Sequence, residues 1–325
     1  MAEKGARLTH LFRPINLIII AGTMYLLKYG LMHPMLRLIS KKVDLEMVSQ
    51  IEPFTFALLV SSVVFIAAGG YILNDIKDIT ADKENKSGNP VGVLISEEKA
   101  NLAYQVTTVL GLILSFWVAI EIGNYNYAII QLTAAISLWF YSNYFKTAFL
   151  SGNLVVAFVV SLVPLTVGIY EVSLAQIAYF NKVTQFKDFN FNFLAYWFLG
   201  YSVFVFALTL IREIEKDMED VKGDLLIQGQ TLPIVLGNGT TKVIVTFLYL
   251  LVIAGLYMVR INFLTDAISG VFILLILLVI LLNLFQLWSG KKLGMRLSSW
   301  SKLLSLIGVL FLFALKYIID NELFF

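Results

Sequence analysis

The sequence predicts an all-α membrane protein, a multi-span helical bundle of nine transmembrane helices around a central cavity. Hydrophobic residues make up 59% of the 325 residues and charged residues only 14%, with a mean hydropathy of +0.82. Apolar stretches of about 20 residues, the length that crosses a bilayer as a helix, follow one another along the whole chain. The charged residues collect between these stretches. Together these observations exclude an ordinary soluble domain.

Nine stretches qualify as spans, and we expect them to form one transmembrane domain over residues 1–325. They lie near residues 14–32, 53–74, 97–120, 124–143, 151–171, 193–213, 239–259, 265–288 and 299–318. Only a few residues around Gly123 and Asn124 separate the third and fourth stretches, so these two should form a tight antiparallel pair. Lys28 lies inside the first stretch, where we expect its long side chain to snorkel to the membrane interface.

The distribution of basic residues predicts the orientation of this integral membrane protein. About two-thirds of the 24 lysines and arginines lie on the side that carries the N-terminus, and the side richer in these residues is the cytoplasmic one. We therefore expect a cytoplasmic N-terminus and an outside C-terminus. A net charge of +2 and the lack of a basic run argue against nucleic acid as a partner. Membrane lipid is the expected surrounding, and no feature of the sequence indicates an obligate protein partner.

Two matched groups of aspartates stand out against this apolar background. Asp75, Asp78 and Asp82 form the first ladder, and Asp217, Asp220 and Asp224 form the second, with the same spacing of three and then four residues. On a helix, each set would occupy one face, within roughly 60° around the axis. The repeat, at residues 74–82 and 217–224, is compatible with an internal duplication. Four spans separate the two ladders, so both should lie on the cytoplasmic side.

Like charges at these spacings repel, which makes each ladder costly unless a cation binds to it. The chain has no cysteine and two histidines, so a metal would have to be held by oxygen ligands, as Mg²⁺ and Ca²⁺ are. Mg²⁺ fits best where phosphate oxygens of a substrate complete its coordination. The alternative is that the ladders are solvated helix ends. Cations near the ladders could bind a diphosphate: Lys77, Lys83, Lys86, Lys146, Arg212, Lys216 and Lys222.

Four segments resemble the UbiA superfamily of intramembrane prenyltransferases. Residues 74–82 match its NDxxDxxxD motif and residues 217–224 its DxxDxxxD motif. Residues 13–16 read RPIN, similar to RPxN, and residues 141–146 with Gly152 and Asn153 are similar to YSxxLK…GN. Within the superfamily, the segment from Arg212 through Thr231 and Pro233 is most similar to the digeranylgeranylglyceryl phosphate synthases.

The resemblance implies a Mg²⁺-dependent enzyme that moves a polyprenyl group from a prenyl diphosphate to a lipophilic acceptor. The acceptor expected from the most similar branch is like geranylgeranylglyceryl phosphate. An aromatic, quinone-pathway acceptor is the alternative, and a membrane transporter is a more distant one. Transporters tend to place their ligand groups near the bilayer midplane, whereas the ladders lie at the ends of spans.

The resemblance also assigns roles to individual residues. The expected metal ligands are Asn74, Asp75, Asp78, Asp82, Asp217, Asp220 and Asp224. The expected catalytic residues are Asp78, Asp82, Asp217, Asp220 and Lys146. The expected substrate-binding residues are Asn16, Lys77, Tyr141, Lys146, Asn153, Arg212 and Lys216. One departure bears on the acceptor: after the first ladder the family usually has an arginine where this chain has Asn89.

Overall fold

The computed structural model describes residues 11–79, 89–183, 191–226, 228–291 and 293–323, and these ranges are helical over most of their length. The α-helices, in chain order, are α1 Pro14–Leu26, α2 His33–Val43, α3 Pro53–Lys77, α4 Glu97–Ile122, α5 Ile129–Phe140, α6 Ser151–Val183, α7 Asn192–Leu226, α8 Leu232–Asn262, α9 Ala267–Ser289 and α10 Leu297–Asp320. A π-helical turn, Leu27–Met32, joins α1 to α2 without a break.

The predicted all-helical membrane architecture is confirmed, since each of the nine predicted spans coincides with a helical segment. Within the described ranges, eight helices are long and apolar enough to cross a membrane. The fourth predicted span contains α5, a helix of 12 residues. A 3₁₀ turn, Tyr125–Ala128, precedes it and a π-helical turn, Tyr141–Phe145, follows it. The chain is therefore an integral membrane protein.

The connection between α4 and α5 is as tight as the sequence predicts. Gly123 ends α4 with a φ of 79°, a left-handed conformation that costs glycine little because it has no Cβ. Asn124 then starts the 3₁₀ turn, and its side chain accepts a hydrogen bond from the backbone N of Asn126 at 3.0 Å. Two residues thus reverse the chain between two spans.

The described chain forms two compact units. Unit 1 contains residues up to Gly22, residues Ile51–Leu162 and the segment Asp220–Thr231. In unit 1, α3 packs along α4 and also contacts α5. Ser62 of α3 donates a hydrogen bond from its hydroxyl to the carbonyl oxygen of Gly111 on α4, at 2.8 Å. Such a bond between two spans requires close backbones, as small residues at membrane helix contacts allow.

Unit 2 contains Thr23–Gln50, Val163–Glu219 and Leu232–Phe325. In this unit α10 packs against α9 and against α2 with the π-helical turn that precedes it. The single-domain organisation and the internal duplication stay predictions. The two ladders are distributed unevenly, since Asp217 belongs to unit 2 while Asp220 and Asp224 belong to unit 1.

The expectation that Lys28 snorkels to the interface is wrong. Its Nζ lies 2.7 Å from Glu171 Oε1 on α6, and the two side chains are 1% and 0% exposed. The hydroxyl of Ser49 donates a second hydrogen bond to Glu171, at 2.7 Å. A buried carboxylate with two donors neutralises the lysine where it stands, so the side chain need not reach water. All three residues belong to unit 2.

Candidate active site

The first ladder begins on the last turn of α3. The backbone N of Asp78 donates to the carbonyl oxygen of Asn74 at 3.0 Å, which makes Asp78 the residue that caps the helix. The side chain of Asn74 donates to Asp78 Oδ2, also at 3.0 Å. Asp75 is buried and Asp78 partly exposed. The predicted helical placement is thus observed for Asn74, Asp75 and Asp78, whereas Asp82 lies outside the described residues.

Lys146 contacts the first ladder directly. Its Nζ donates to Asn74 Oδ1 at 2.8 Å and forms a short ion pair with Asp78. The side chains of Lys146 and Asp78 are 23% and 20% exposed, so the pair remains open to the surroundings. The sequence places these two residues 68 positions apart, and the structure brings them together within unit 1.

A π-helical turn places Lys146 at this point. The turn Tyr141–Phe145 continues α5, and the backbone N of Lys146 donates to the carbonyl oxygen of Tyr141 at 3.0 Å, a bond five residues long. Such turns are often found at functional sites. At Gly152 a Cβ would lie 2.6 Å from the carbonyl oxygen of Phe145, so only glycine fits there. Asn153, which follows it, is buried.

Arg13 contacts the other described carboxylate of the first ladder. Its guanidinium donates to Asp75 Oδ1 at 2.7 Å and lies over the ring of Tyr71, 4.9 Å from its centroid. The side chain of Asn89 donates to the backbone oxygen of Asp75 at 2.8 Å. Asn89 therefore satisfies a backbone carbonyl in the last turn of α3. It occupies the position where the family usually has an arginine.

The second ladder lies on the last turns of α7. Asp217 is half-buried and Asp220 exposed. Asp224 Oδ2 accepts a hydrogen bond from the hydroxyl of Thr231 at 3.3 Å, and its backbone oxygen accepts from the backbone N of Gly229 at 2.8 Å. The second ladder thus keeps a helical face, and its last member is held by the segment that follows α7.

That segment is also bonded to the residue after Lys146. The backbone N of Gln230 donates to the carbonyl oxygen of Thr147 at 2.8 Å. Asp224, Thr231 and Lys146 all belong to unit 1. A backbone hydrogen bond therefore links the segment that follows the second ladder to the residue next to Lys146.

The remaining predicted substrate-binding residues occupy more open positions. Lys77 and Lys216 are exposed, and Tyr141 is half-buried. Arg212 forms a short ion pair with its neighbour Glu213. Asn16 lies in the first turn of α1, where its backbone N donates to the carbonyl oxygen of Arg13 at 2.9 Å. Their roles stay predictions.

The donors present fit a hard divalent cation, although no group of three His, Cys, Asp or Glu residues gathers at one point within the described part of the chain. Asn74, Asp75 and Asp78 offer only oxygen atoms as ligands, which Mg²⁺ prefers. Two cationic side chains, Arg13 and Lys146, already lie against Asp75 and Asp78. The first ladder therefore attracts positive charge at two adjacent points.

The residues that sequence reasoning missed are Arg13 and Asn89. Arg13 belongs to the same RPIN segment as Asn16. It is a charged residue directly before a span, and that position could have indicated an ion pair. From the sequence, Asn89 is recognisable only as a departure from the family pattern. Its bond to the end of α3 depends on how the loop folds, which the sequence does not indicate.

Comparison with known proteins identifies relatives of the chain. A model described as the UbiA prenyltransferase family matches residues 45–315. The digeranylgeranylglyceryl phosphate synthase of Saccharolobus solfataricus is 32% identical over 200 residues, 60% of this chain and 63% of that protein. The same enzyme of Sulfurisphaera tokodaii is 31% identical over 189 residues, 58% of this chain and 60% of that protein. The matches thus span about three-fifths of the length of these relatives.

Solved structures agree in fold. A digeranylgeranylglyceryl phosphate synthase structure has a TM-score of 0.62 at 23% identity and covers 96% of this chain and 97% of that one. A UbiA homologue from Archaeoglobus fulgidus, bound to GPP and Mg²⁺, has a TM-score of 0.61 at 17% identity, with 96% and 99% coverage. The likeness therefore extends over nearly the whole chain.

Proposed function

Because the chain belongs to the UbiA prenyltransferase family, we propose that it is an intramembrane enzyme that moves a polyprenyl group from a prenyl diphosphate to a lipophilic acceptor. The observation that carries the proposal is the contact of Lys146 with Asp78 and Asn74. Three residues from two separate family motifs meet there. Asp75, on the same turn of α3, is buried, and a buried ionisable group on a membrane helix is by default an indication of function.

The proposed metal is Mg²⁺, held by oxygen ligands drawn from Asn74, Asp75, Asp78, Asp82, Asp217, Asp220 and Asp224. When bound, Mg²⁺ would neutralise the charge that develops on a departing diphosphate. The assignment of the first ladder is supported by the side-chain oxygen atoms at the end of α3, which can serve as metal ligands. The second-ladder assignment is supported by the repeat of the same spacing on α7.

The residues of the chain have distinct tasks in this reaction. The bond between C1 of the prenyl group and the diphosphate oxygen breaks, and its electron pair leaves with the diphosphate. Lys146 and Arg13 are cations that can turn from the carboxylates to the phosphate oxygens as negative charge builds up there. The acceptor hydroxyl then forms a bond to C1 of the allylic cation, and its proton passes to the released diphosphate.

The further substrate contacts are proposed from their positions in the motifs. Arg212, Lys216 and Lys77 would add positive charge for the diphosphate. Asn16, Tyr141 and Asn153 would contact the substrate through an amide or a ring. The aromatic face of Tyr141 can shield a nearby cation.

For the acceptor we propose a prenylglyceryl phosphate whose hydroxyl oxygen is alkylated. The relatives named above are digeranylgeranylglyceryl phosphate synthases. Thr231, in the segment most similar to those enzymes, donates a hydrogen bond from its hydroxyl to Asp224. An aromatic acid acceptor would need a cation for its own carboxylate. The usual arginine is Asn89 here, and Asn89 is bonded to the end of α3.

The active site is proposed to face the cytoplasm, with the C-terminus outside, on the basis of the lysine and arginine distribution. Labelling of single cysteines at either end of the chain by a membrane-impermeant maleimide tests this. The chain has no cysteine of its own, so each label reports one position. Labelling of an N-terminal cysteine in intact cells would contradict the orientation.

The deciding experiment for the function is product identification. Purified protein in lipid nanodiscs is incubated with geranylgeranyl diphosphate, Mg²⁺ and either geranylgeranylglyceryl phosphate or an aromatic acid, and products are separated by mass spectrometry. We expect an ether-linked product with the glyceryl phosphate. A C-prenylated aromatic product without the ether would overturn the acceptor assignment only. Absence of any prenylated product with both acceptor classes and a range of prenyl diphosphates would overturn the proposed function.

A further inference from the structure

A second fully buried carboxylate lies on α7, two residues before the second ladder. Glu215 is 0% exposed. It accepts hydrogen bonds from the hydroxyl of Tyr249 at 3.0 Å, from the amide of Asn283 at 2.8 Å and, in a short contact, from the hydroxyl of Ser301. These donors come from α8, α9 and α10. Three helices of unit 2 therefore converge on one side chain of α7.

Glu219, one turn further along α7, is held in the same way. Its Oε2 accepts from the hydroxyl of Ser298 at 2.7 Å, and its Oε1 accepts from the backbone N of the same residue at 3.3 Å. Ser298 lies in the first turn of α10. Residues four apart lie on one face of a helix, so Glu215 and Glu219 form a single anchored face.

The anchored face and the second ladder point away from each other. On an α-helix, Asp217 lies roughly 200° around the axis from Glu215, and also roughly 200° from Glu219. Rotation of α7 about its own axis would thus move both faces together. The bonds of Glu215 and Glu219 resist such a rotation, because a carboxylate that is buried in the protein, as Glu215 is, and loses its donors costs several kcal/mol.

We propose that Glu215, supported by Glu219, is the positioning residue of the second ladder: its bonds to α8, α9 and α10 set the rotation of α7 and so the direction in which Asp217 faces. Glu215 itself touches neither metal nor substrate. This inference rests on the proposed function, in which Asp217 is a metal ligand. Outer residues that orient metal ligands typically affect metal affinity or activity by about 10- to 100-fold.

The test replaces Glu215 with leucine, which keeps the site apolar and removes the anchor. The fold should survive, because the three donors also bond to one another: Asn283 donates to the oxygen of Tyr249 at 2.7 Å, and Tyr249 and Ser301 lie 2.9 Å apart. Glu215→Gln keeps one acceptor oxygen and serves as the conservative variant. Glu215→Leu removes both.

The matched control is the double variant Lys28→Met with Glu171→Leu. It removes another fully buried carboxylate of unit 2, on α6, and removes its lysine as well, so no unpaired charge remains. Replacing both members of a buried ion pair by apolar residues is often neutral for stability. Any effect on metal binding that the control shares would therefore reflect general loosening and not the direction of α7.

The first measurement reads the rotation of α7 without any activity. Single cysteines are introduced by Met218→Cys or Asp220→Cys into the cysteine-free chain, and their rates of modification by a water-soluble maleimide are compared. Asp220 is exposed and Met218 half-buried, and the two lie roughly 200° apart. In the parent chain the cysteine at position 220 should react faster than the cysteine at position 218. With Glu215→Leu, the rate at position 220 divided by the rate at position 218 should fall several-fold. With the control pair it should stay as in the parent chain.

The second measurement is Mn²⁺ binding, followed by the loss of the free-ion signal in electron paramagnetic resonance. Glu215→Leu should raise the Kd for Mn²⁺ by about 10-fold or more, Glu215→Gln should give an intermediate value, and the control should bind as the parent does. The proposal requires both results. An unchanged ratio of cysteine rates, an unchanged Kd, or the same rise in the control would each overturn it.

The outcome is separable from the fate of the proposed function. If the parent protein makes no prenylated product but the cysteine ratio and the Mn²⁺ affinity shift as expected, the function fails and the positioning role stands. If the parent is active and neither quantity shifts with Glu215→Leu, the positioning role fails and the function stands.

Discussion

Two lysine–carboxylate pairs in this protein have opposite surroundings. Lys28 with Glu171 is sealed, with side-chain exposures of 1% and 0%, whereas Lys146 with Asp78 is partly open, at 23% and 20%. Both lysines are placed by a π-helical turn: Lys28 lies within one, and Lys146 directly follows the other. A π-helical turn thus places a lysine against a carboxylate in both regions, and the two pairs differ in how exposed their side chains are.

The difference has a direct chemical consequence. A fully buried pair cannot exchange its partner for a ligand, so its role is structural: the fold is destabilised when one partner is removed and the other is left unpaired. An open pair can exchange: in the proposed function, Lys146 leaves Asp78 for a phosphate oxygen, and Asp78 then becomes available as a metal ligand. On this proposal the first ladder belongs to the reaction, whereas the buried pair of Lys28 and Glu171 has a structural role.

The largest effect on activity is expected for Asp78→Ala. Loss of a metal ligand should lower the rate of diphosphate release on the order of 10³-fold or more. The apparent melting temperature should stay near that of the parent, because Asp78 is partly exposed and Lys146 keeps its hydrogen bond to Asn74 Oδ1 and its contact with solvent when Asp78 is removed. Asp220→Ala tests the second ladder in the same assay. A rate within threefold of the parent would remove that residue from the metal site.

The sealed pair should respond in the opposite way. Glu171→Ala leaves Lys28 buried without its carboxylate, and breaking one partner of a buried pair costs about 3–5 kcal/mol. We expect a clear fall in the melting temperature measured in detergent, with the KM for prenyl diphosphate unchanged in the folded fraction. A normal melting temperature together with a raised KM would place Glu171 at the substrate and break the comparison.

Lys146→Ala should weaken prenyl diphosphate binding more than acceptor binding. A hydrogen bond to a charged group contributes about 1.5–3 kcal/mol, so the KM for the diphosphate should rise by about 10- to 100-fold. Lys99→Ala is a matched control, because Lys99 is an exposed lysine of unit 1 and is not among the cations considered for the diphosphate. A rise in the acceptor KM alone would contradict the assignment of Lys146.

The smallest effect is expected for Arg13→Ala. Its side chain is 39% exposed, and solvent screening limits the stability contribution of such a pair to about 1 kcal/mol or less. The melting temperature should therefore change little, while the KM for prenyl diphosphate rises a few-fold. Arg13→Lys keeps the charge and should recover most of the loss. A large loss of stability would show that Arg13 belongs with the structural pair.

The sequence was sufficient where local spacing decides the structure. Apolar stretches of span length coincide with helices, and the ladder spacing placed Asp75 and Asp78 on the last turn of α3. Motif likeness also selected Lys146 as a catalytic and diphosphate-binding residue. The structure places Lys146 against Asn74 and Asp78, and the diphosphate role stays a prediction.

The sequence was insufficient where a contact joins distant parts of the chain. Hydropathy could not indicate that Glu171 lies beside Lys28, because the pairing depends on how α6 packs in unit 2. The π-helical turns have no simple sequence pattern, so the positions of Lys28 and Lys146 could not be derived from helical periodicity. The bonds of Glu215 were hidden for a similar reason: their donors lie 34, 68 and 86 residues away.

The most direct test of the account is the rate of diphosphate release by three purified proteins: the parent, Asp78→Ala, and the double variant Lys28→Met with Glu171→Leu. Each is given geranylgeranyl diphosphate and geranylgeranylglyceryl phosphate, with Mg²⁺ or with excess EDTA. We expect rapid, Mg²⁺-dependent release by the parent and the double variant, and a rate lower by about 10³-fold for Asp78→Ala. Equal rates in the parent and Asp78→Ala, or release by the parent that persists in EDTA, would contradict it.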